Sequence, residues 1–316
     1  ARGSEAPVVS RDGEHVAFAA TRNGKAFVVL DGSLSQPYDA ILEGFPIFSS
    51  DSERVAYGVR SGESLRVVVR YVSSGRRSGS STGATSNSQP FDEIDSGDFV
   101  FSSDGERYAY SARRGDRQFV VLDGQEIGHF DRVGQLAFNP DAPWFVYEVE
   151  RPGTPMLLMR GSRTAKRLGS QYERFGEIAF NPAGDRMAYW GKANGKWNLV
   201  VADSNGITRE THEGYDDYCD GTLVFSRNGR RLAFVAVRDG KATVVVDGSE
   251  GPLSDGILRG TPVFSFDSRG VAYAALRRGK WQIVVNGTAK YSFPLIKEYT
   301  VQFTPDGQNL LRLASF

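Results

Sequence analysis

Cysteine is nearly absent from this chain: Cys219 is the only one among 316 residues. An intramolecular disulfide and any zinc or redox site built on a Cys-x-x-Cys pair are therefore excluded. Excess charge of either sign is lacking too, because 38 Lys and Arg balance 38 Asp and Glu. No global field favours nucleic acid or an anionic membrane, and neither is expected as a partner. No apolar run approaches the roughly 20 residues of a membrane helix, and "ARGSEAPVV" carries no visible signal peptide. The chain does not open on Met, which reads as processing or trimming and favours a periplasmic or secreted origin over a cytoplasmic one.

Catalytic motifs are missing as well. There is no GxSxG elbow, P-loop, Rossmann glycine pattern or HExxH. His15, His129 and His212 fall at different places in the pattern described below, so a His-based triad around Cys219 is not expected. No cofactor and no metal site is expected, and no convincing amphipathic helix is found.

What the chain does contain is repetition. "VFSSDGERYAYSARRGDRQFVVLDG", ending at Gly124, returns as "VFSRNGRRLAFVAVRDGKATVVVDG", ending at Gly248. Related segments begin near residues 7, 45, 98, 136, 178, 223, 262 and 301, most of them about 40 residues apart, the period of a propeller blade. Each period reads as four short strands. Strand A is apolar ("VFS"), and an Asp-Gly or Asn-Gly turn leads to an alternating strand B ("YAYSA"). A Gly-rich basic turn leads to strand C ("QFVVLDG"), and D is read at "YDAI", "FDEI", "FDRV", "YERF" and "YDDY". Four-stranded sheets of this kind bury both faces against their neighbours, so repetition builds a core that no single copy could form.

The "FSxDGxxxAY" unit followed by "VVVDG" resembles the TolB-like, WD-repeat-like bacterial β-propeller repeats and covers essentially the whole chain. The fold class implied is all-β: a single β-propeller spanning residues 1–316, with blades of four antiparallel strands. Eight blades are favoured, the last incomplete, with seven as the alternative. There are eight A–B hairpins but only seven C–D pairs. No helical N-terminal domain like that of TolB is present. Such propellers serve as interaction scaffolds, as domains of peptidases and occasionally as lyases.

The same resemblance places strand A on a central channel, with D–A and B–C loops sharing one face. The D–A loops would then bring Glu43, Asp95, Asp98, Glu177, Asp220 and Glu298 to the channel mouth, with Arg259 and Lys297 as counter-charges and Phe45 and Tyr299 beside them. A funnel of carboxylates attracts cations or basic groups. At larger radius the B–C loops carry Arg22, Lys25, Arg113, Arg114, Arg117, Lys196, Arg238 and Lys241 among others; polar hairpin turns favour such residues in any case, and no aromatic interleaving suited to nucleic acid accompanies them.

Two segments depart from the pattern. Residues 73–90, "SSGRRSGSSTGATSNSQP", read as a flexible Ser/Gly-rich loop. Residues 211–221, "THEGYDDYCDG", crowd His212, Asp216, Asp217, Cys219 and Asp220 together, but strand alternation sends Asp216 and Asp217 to opposite faces, which argues against a metal cluster. The expected function is a non-enzymatic binding or scaffold module that takes a protein, peptide or small-molecule ligand at the acidic channel mouth. The alternative is a lyase or hydrolase in which a pair such as Glu177 and Asp220 does acid–base work, one pKa being raised by burial and repulsion. Oligomeric state is left open.

Overall fold

The turn between the first two strands is the most regular element of the structure. A serine hydroxyl at its start donates to the carboxylate two residues on and accepts the peptide N–H five residues on. Ser10 Oγ lies 2.5 Å from Asp12, and the His15 N–H reaches it at 3.0 Å. The same bonds join Ser49 to Asp51 and Arg54, Ser102 to Asp104 and Arg107, and Ser265 to Asp267 and Gly270. Where Asn181 replaces the serine, its amide donates to Asp185 at 2.6 Å and its carbonyl accepts the Arg186 N–H at 3.0 Å. A short polar side chain that can serve both partners is what this turn selects.

Successive turns lean on each other. A Cβ added to Gly105 would stand 2.2 Å from the Asp51 carboxylate of the preceding sheet, and one on Gly229 would stand 2.6 Å from Asn181 Nδ2. Both glycines also hold φ near +70°, so the turn needs glycine for its backbone and for its neighbour. Arginines at the head of strand B complete the contact by donating to the next turn's carbonyls: Arg54 to Gly105 at 2.7 Å, Arg186 to Arg230 at 3.1 Å, and Arg231 to Arg269 at 2.6 Å.

The computed structural model describes residues 6–72, 84–85, 90–95, 97–142, 144–161, 165–296, 301–304, 306–307 and 309–312, with only the backbone given at 84–85 and 311–312. Most of the 73–90 segment lies outside them. Every regular element among the described residues is a strand. The chain forms two compact units, Ala1–Asn139 with Pro143–Lys166, and Pro140–Ala142 with Arg167–Phe316.

In the first unit, sheet one runs through Val8–Val9, Val16–Arg22, Lys25–Leu30 and Ser33–Leu34 in sequential order. Sheet two is built on Arg54–Ser61 and Ser64–Tyr71, sheet three on Tyr108–Arg114, Arg117–Leu122 and Gln125–Phe130, and sheet four on Arg132–Phe138, Phe145–Arg151 and Thr154–Arg160. In the second unit, sheet five holds Arg174–Phe180, Arg186–Ala193, Lys196–Asp203 and Thr208–Tyr215. Sheet six is built on Leu232–Arg238 and Lys241–Val246, sheet seven on Val271–Arg277, Lys280–Val285 and Thr288–Phe293, and sheet eight on Val301–Phe303 with Leu310–Arg312. All pairings are antiparallel, as short strands joined by Asp-Gly and Asn-Gly hairpins require.

Strand B is buried on both faces, as five successive residues from Leu232 to Ala236 show. Between the sheets lie apolar layers: Phe45, Tyr57, Phe91 and Tyr110 across sheets two and three, and Trp190, Leu199, Tyr215 and Phe234 across five and six. Each large side chain buried this way contributes about 1.5–3 kcal/mol.

One strand assignment is corrected. "YDAI" and its counterparts are crossovers and not strand D. Tyr38 bridges Ala26 of sheet one, whereas Ala40–Ile41 already pair with Arg60 and Val59 of sheet two. Tyr215 likewise closes sheet five against Trp197, while Asp217–Tyr218 open sheet six against Val237 and Ala236. Strand D precedes the crossover, in polar segments such as Ser249–Glu250. A two-residue strand end and a two-residue strand start read alike in sequence.

Candidate functional site

Because strand A begins at the crossover, the segments read as D–A loops are excursions inside strand A. In sheet two, Ala40–Ile41 and Ile47–Phe48 both pair with the same strand B. The residues between them form a turn in which Gly44 takes φ +81° and the Phe45 N–H reaches the Leu42 carbonyl at 3.4 Å. Sheets six and seven repeat this with Cys219–Thr222 around Gly221 and Leu258–Thr261 around Gly260, their threonine hydroxyls donating to the Cys219 and Leu258 carbonyls at 2.5 and 2.7 Å. A positive φ at the third turn residue is the type II requirement that glycine meets. Sheets four and five use a two-residue bulge in its place, at Gly134–Gln135 and Gly176–Glu177.

These turns fix the expected site residues. Glu43, Asp220 and Arg259 occupy the exposed second turn position, and Phe45 is buried against Phe99, ring centroids 5.6 Å apart. In sheet three, Asp95 is exposed, while Asp98 is half-buried and accepts a 2.6 Å hydrogen bond from the Ser111 hydroxyl. Burial pushes the Asp98 carboxyl up, and the Asp95 charge adds to the effect against the pull of that bond. Ser111 stands where other sheets carry Ala19, Gly58, Glu148, Trp190, Val235 and Ala274, a difference that aligning the repeats would have exposed.

In the second unit the Glu177 carboxylate lies against the next sheet's turn and accepts the peptide N–H groups of Gly221 at 3.1 Å and Leu223 at 3.4 Å. Burial pushes Glu177 up to about 7, the adjacent Asp220 charge assists, and the peptide bonds hold it from going higher. The bulge itself is tight: a Cβ on Gly176 would stand 2.2 Å from the Tyr218 hydroxyl, whose ring stacks on Trp190 at 4.8 Å. Glu177 and Asp220 are thus brought together, as are Asp95 and Asp98 in the other unit. Lys297, Glu298 and Tyr299 lie outside the described residues.

The basic B–C residues are largely spent within the sheets. Lys25 binds Asp39 at 2.6 Å, Arg113 binds Glu93 at 2.8 Å, Arg117 binds Asp131 at 3.0 Å, Arg238 binds Glu250 at 2.9 Å, and Lys196 and Lys241 pair with Asp216 and Asp255. Asp39 and Asp216, two of these crossover aspartates, also stitch neighbouring sheets together. Asp39 takes the Gly62 N–H at 2.6 Å and Asp216 the Asp239 N–H at 2.7 Å. Asp216 is therefore a repeat feature, and the "THEGYDDYCDG" run is divided between sheets five and six. His212 packs its ring 5.6 Å from Phe234. Among the described residues Asp12, Glu14 and His15 converge, but Ser10 and Asp31 already engage Asp12 and His15.

A cavity of about 680 Å³ lies at the opposite end of the A strands in the second unit. It is lined by Val224, Phe225 and Arg227 of sheet six, Pro262–Phe266 of sheet seven, and Gln302–Thr304 of sheet eight. None of these residues figured in the sequence reading as a site.

A crystal structure of a eukaryotic initiation factor aligns with 97% of this chain and 80% of its own at 12% identity, with a TM-score of 0.59. The Dos1 propeller aligns with 97% and 88% at 12% identity and a TM-score of 0.53. The fold is a β-propeller. TolB from Acinetobacter baumannii aligns with 76% of this chain and 65% of its own at 16% identity, with a TM-score of 0.42, too low to carry weight. No family model matches the chain, and no curated protein matches it in sequence. Identities this low establish the fold alone.

Proposed function

We propose that this chain is a non-enzymatic binding or scaffold propeller, of the TolB-like and WD-repeat-like kind, that contacts basic groups of a protein or peptide through the acidic turns set into its A strands. The observation that carries the reading is the juxtaposition of Glu177 with Asp220, two carboxylates in adjacent turns with no Lys or Arg paired to either among the described residues. Two neighbouring carboxylates leave a negative field at these turns that a cationic side chain would relieve. Asp95 with Asp98 offers the first unit a comparable pair.

The test is fluorescence anisotropy with a labelled hexalysine peptide. Replacing Glu177 with Gln and Asp220 with Asn together should weaken binding by about tenfold, the loss of roughly 1.4 kcal/mol. Affinity that stays the same in that double variant and in Asp95→Asn with Asp98→Asn would remove the acidic turns from the site.

A hydrolase or lyase is the second reading, and the observation favouring it is Glu177 itself, which near pH 7 can both give and take a proton. A panel of ester and polyuronate substrates would decide. Turnover that rises through neutral pH and vanishes in Glu177→Gln supports catalysis, and no turnover across the panel leaves binding as the function.

A further inference from the structure

We propose that the 680 Å³ cavity of the second unit is a binding site for a planar aromatic anion, a compound carrying a carboxylate or sulfonate on an aromatic body. Its volume is that of a site for one small organic molecule. Phe225, Phe264, Phe266 and Phe303 supply four aromatic side chains to its lining, and Val263 adds an aliphatic surface. Flat apolar walls of this kind select a ring system over a flexible chain.

The charge of the ligand follows from Arg227. Among the described residues it is the only ionisable one of the lining, and no carboxylate lies in it. Its guanidinium carbon sits 3.7 Å from the Phe266 ring centroid, and among the described residues this exposed side chain has no hydrogen-bond or ion-pair partner. A fork of donors set over an aromatic ring and open to an acceptor is suited to an oxyanion. Two carboxylates flank the lining, and each already has hydrogen-bond donors: the Thr304 hydroxyl donates to Asp306. Asp267 is engaged by the Ser265 hydroxyl at 2.5 Å and the Arg269 N–H at 3.0 Å, and Arg231, 5.3 Å from the Phe264 centroid, is paired with Asp247 at 2.7 Å.

Internal comparison singles out Phe266. The position after the turn serine, asparagine or threonine is Arg11, Ser50, Ser103, Pro140, Pro182, Arg227, Phe266 and Pro305 in the eight copies. An aromatic occurs there once, at Phe266, and it is 59% exposed. An apolar ring left this open at a turn costs the fold burial it could have had, and the cavity beside it gives the exposure a use.

The probe is 8-anilinonaphthalene-1-sulfonate, titrated by fluorescence against the full chain, with uncharged N-phenyl-1-naphthylamine in parallel. One saturable site is expected for the sulfonate. Arg227→Gln should weaken it by about tenfold while leaving the uncharged compound nearly unchanged, and Phe266→Ala should weaken both. Arg227→Lys should recover part of the loss. Lys290→Gln, on the outer strand of sheet seven, should change nothing. Hexalysine binding should be unaffected by Arg227→Gln, which separates this site from the acidic turns. Absence of saturable binding, or equal weakening of both probes by Arg227→Gln in a folded variant, overturns the proposal.

Discussion

Glu177→Gln is the most informative single substitution. Glutamine keeps a carbonyl oxygen for the Gly221 and Leu223 N–H groups and removes the charge. In the folded chain the carboxyl is pushed up to about 7 from an ordinary 4.5, chiefly by burial. An acid whose folded pKa lies above its unfolded one binds more protons when folded, so stability is highest at low pH and falls as pH rises from 4.5 to about 7. At about 1.4 kcal/mol for each tenfold, the ionised group costs the fold up to about 3 kcal/mol, and screening of a half-buried carboxylate trims this to about 2 kcal/mol. The glutamine variant should therefore exceed the parent by about 2 kcal/mol near pH 8 and by less than about 1 kcal/mol near pH 5. Urea unfolding followed by tryptophan fluorescence measures it, since Trp190 is fully buried and stacks on the Tyr218 ring beside this bulge. An equal difference at the two pH values, or a Glu177 carboxyl signal titrating near 4.5 in carbon-13 spectra, would refute the reasoning.

Three further outcomes are expected. Gly105→Ala should destabilise the first unit by about 2 kcal/mol or more, since the new Cβ meets the Asp51 carboxylate and the backbone holds a positive φ; urea melts would show it. Ser226→Ala removes the acceptor of the Arg231 N–H and the donor to Asn228 at a fully buried position, and should cost about 1–2 kcal/mol in the same assay. Burial pushes the Cys219 thiol up, so its alkylation by iodoacetamide near neutral pH should run well below the rate of a free cysteine until the chain is unfolded in urea.

The A–B hairpins were legible because their determinants are local. Serine, carboxylate and the accepted N–H lie within six residues, so each copy displays its complete turn. The crossovers were not, since Tyr38 and Ala40 belong to different sheets although only Asp39 separates them. The ion pairing of the basic turns left a readable trace in its spacing: Lys25 to Asp39, Arg117 to Asp131 and Lys241 to Asp255 are each 14 residues apart. Glu177 and Asp220 could be named as a pair, but their approach depends on a bulge in one sheet meeting a turn in the next. Arg227 and Phe266 went unnoticed because each looks ordinary alone. Only their shared turn position in consecutive copies makes them a pair.

The crossover aspartates limit how such a chain can grow or shrink. Asp39 is held by a lysine from the sheet behind it and by a hairpin amide from the sheet ahead, and Asp216 is held in the same manner. Any cut between Lys25 and Gly62 parts members of the Asp39 trio, so a duplication or deletion there holds together only if the incoming copy supplies the missing lysine, aspartate or hairpin amide. An engineer splicing in another copy would have to carry all three members of the trio in register, so that every new junction brings its own fastening.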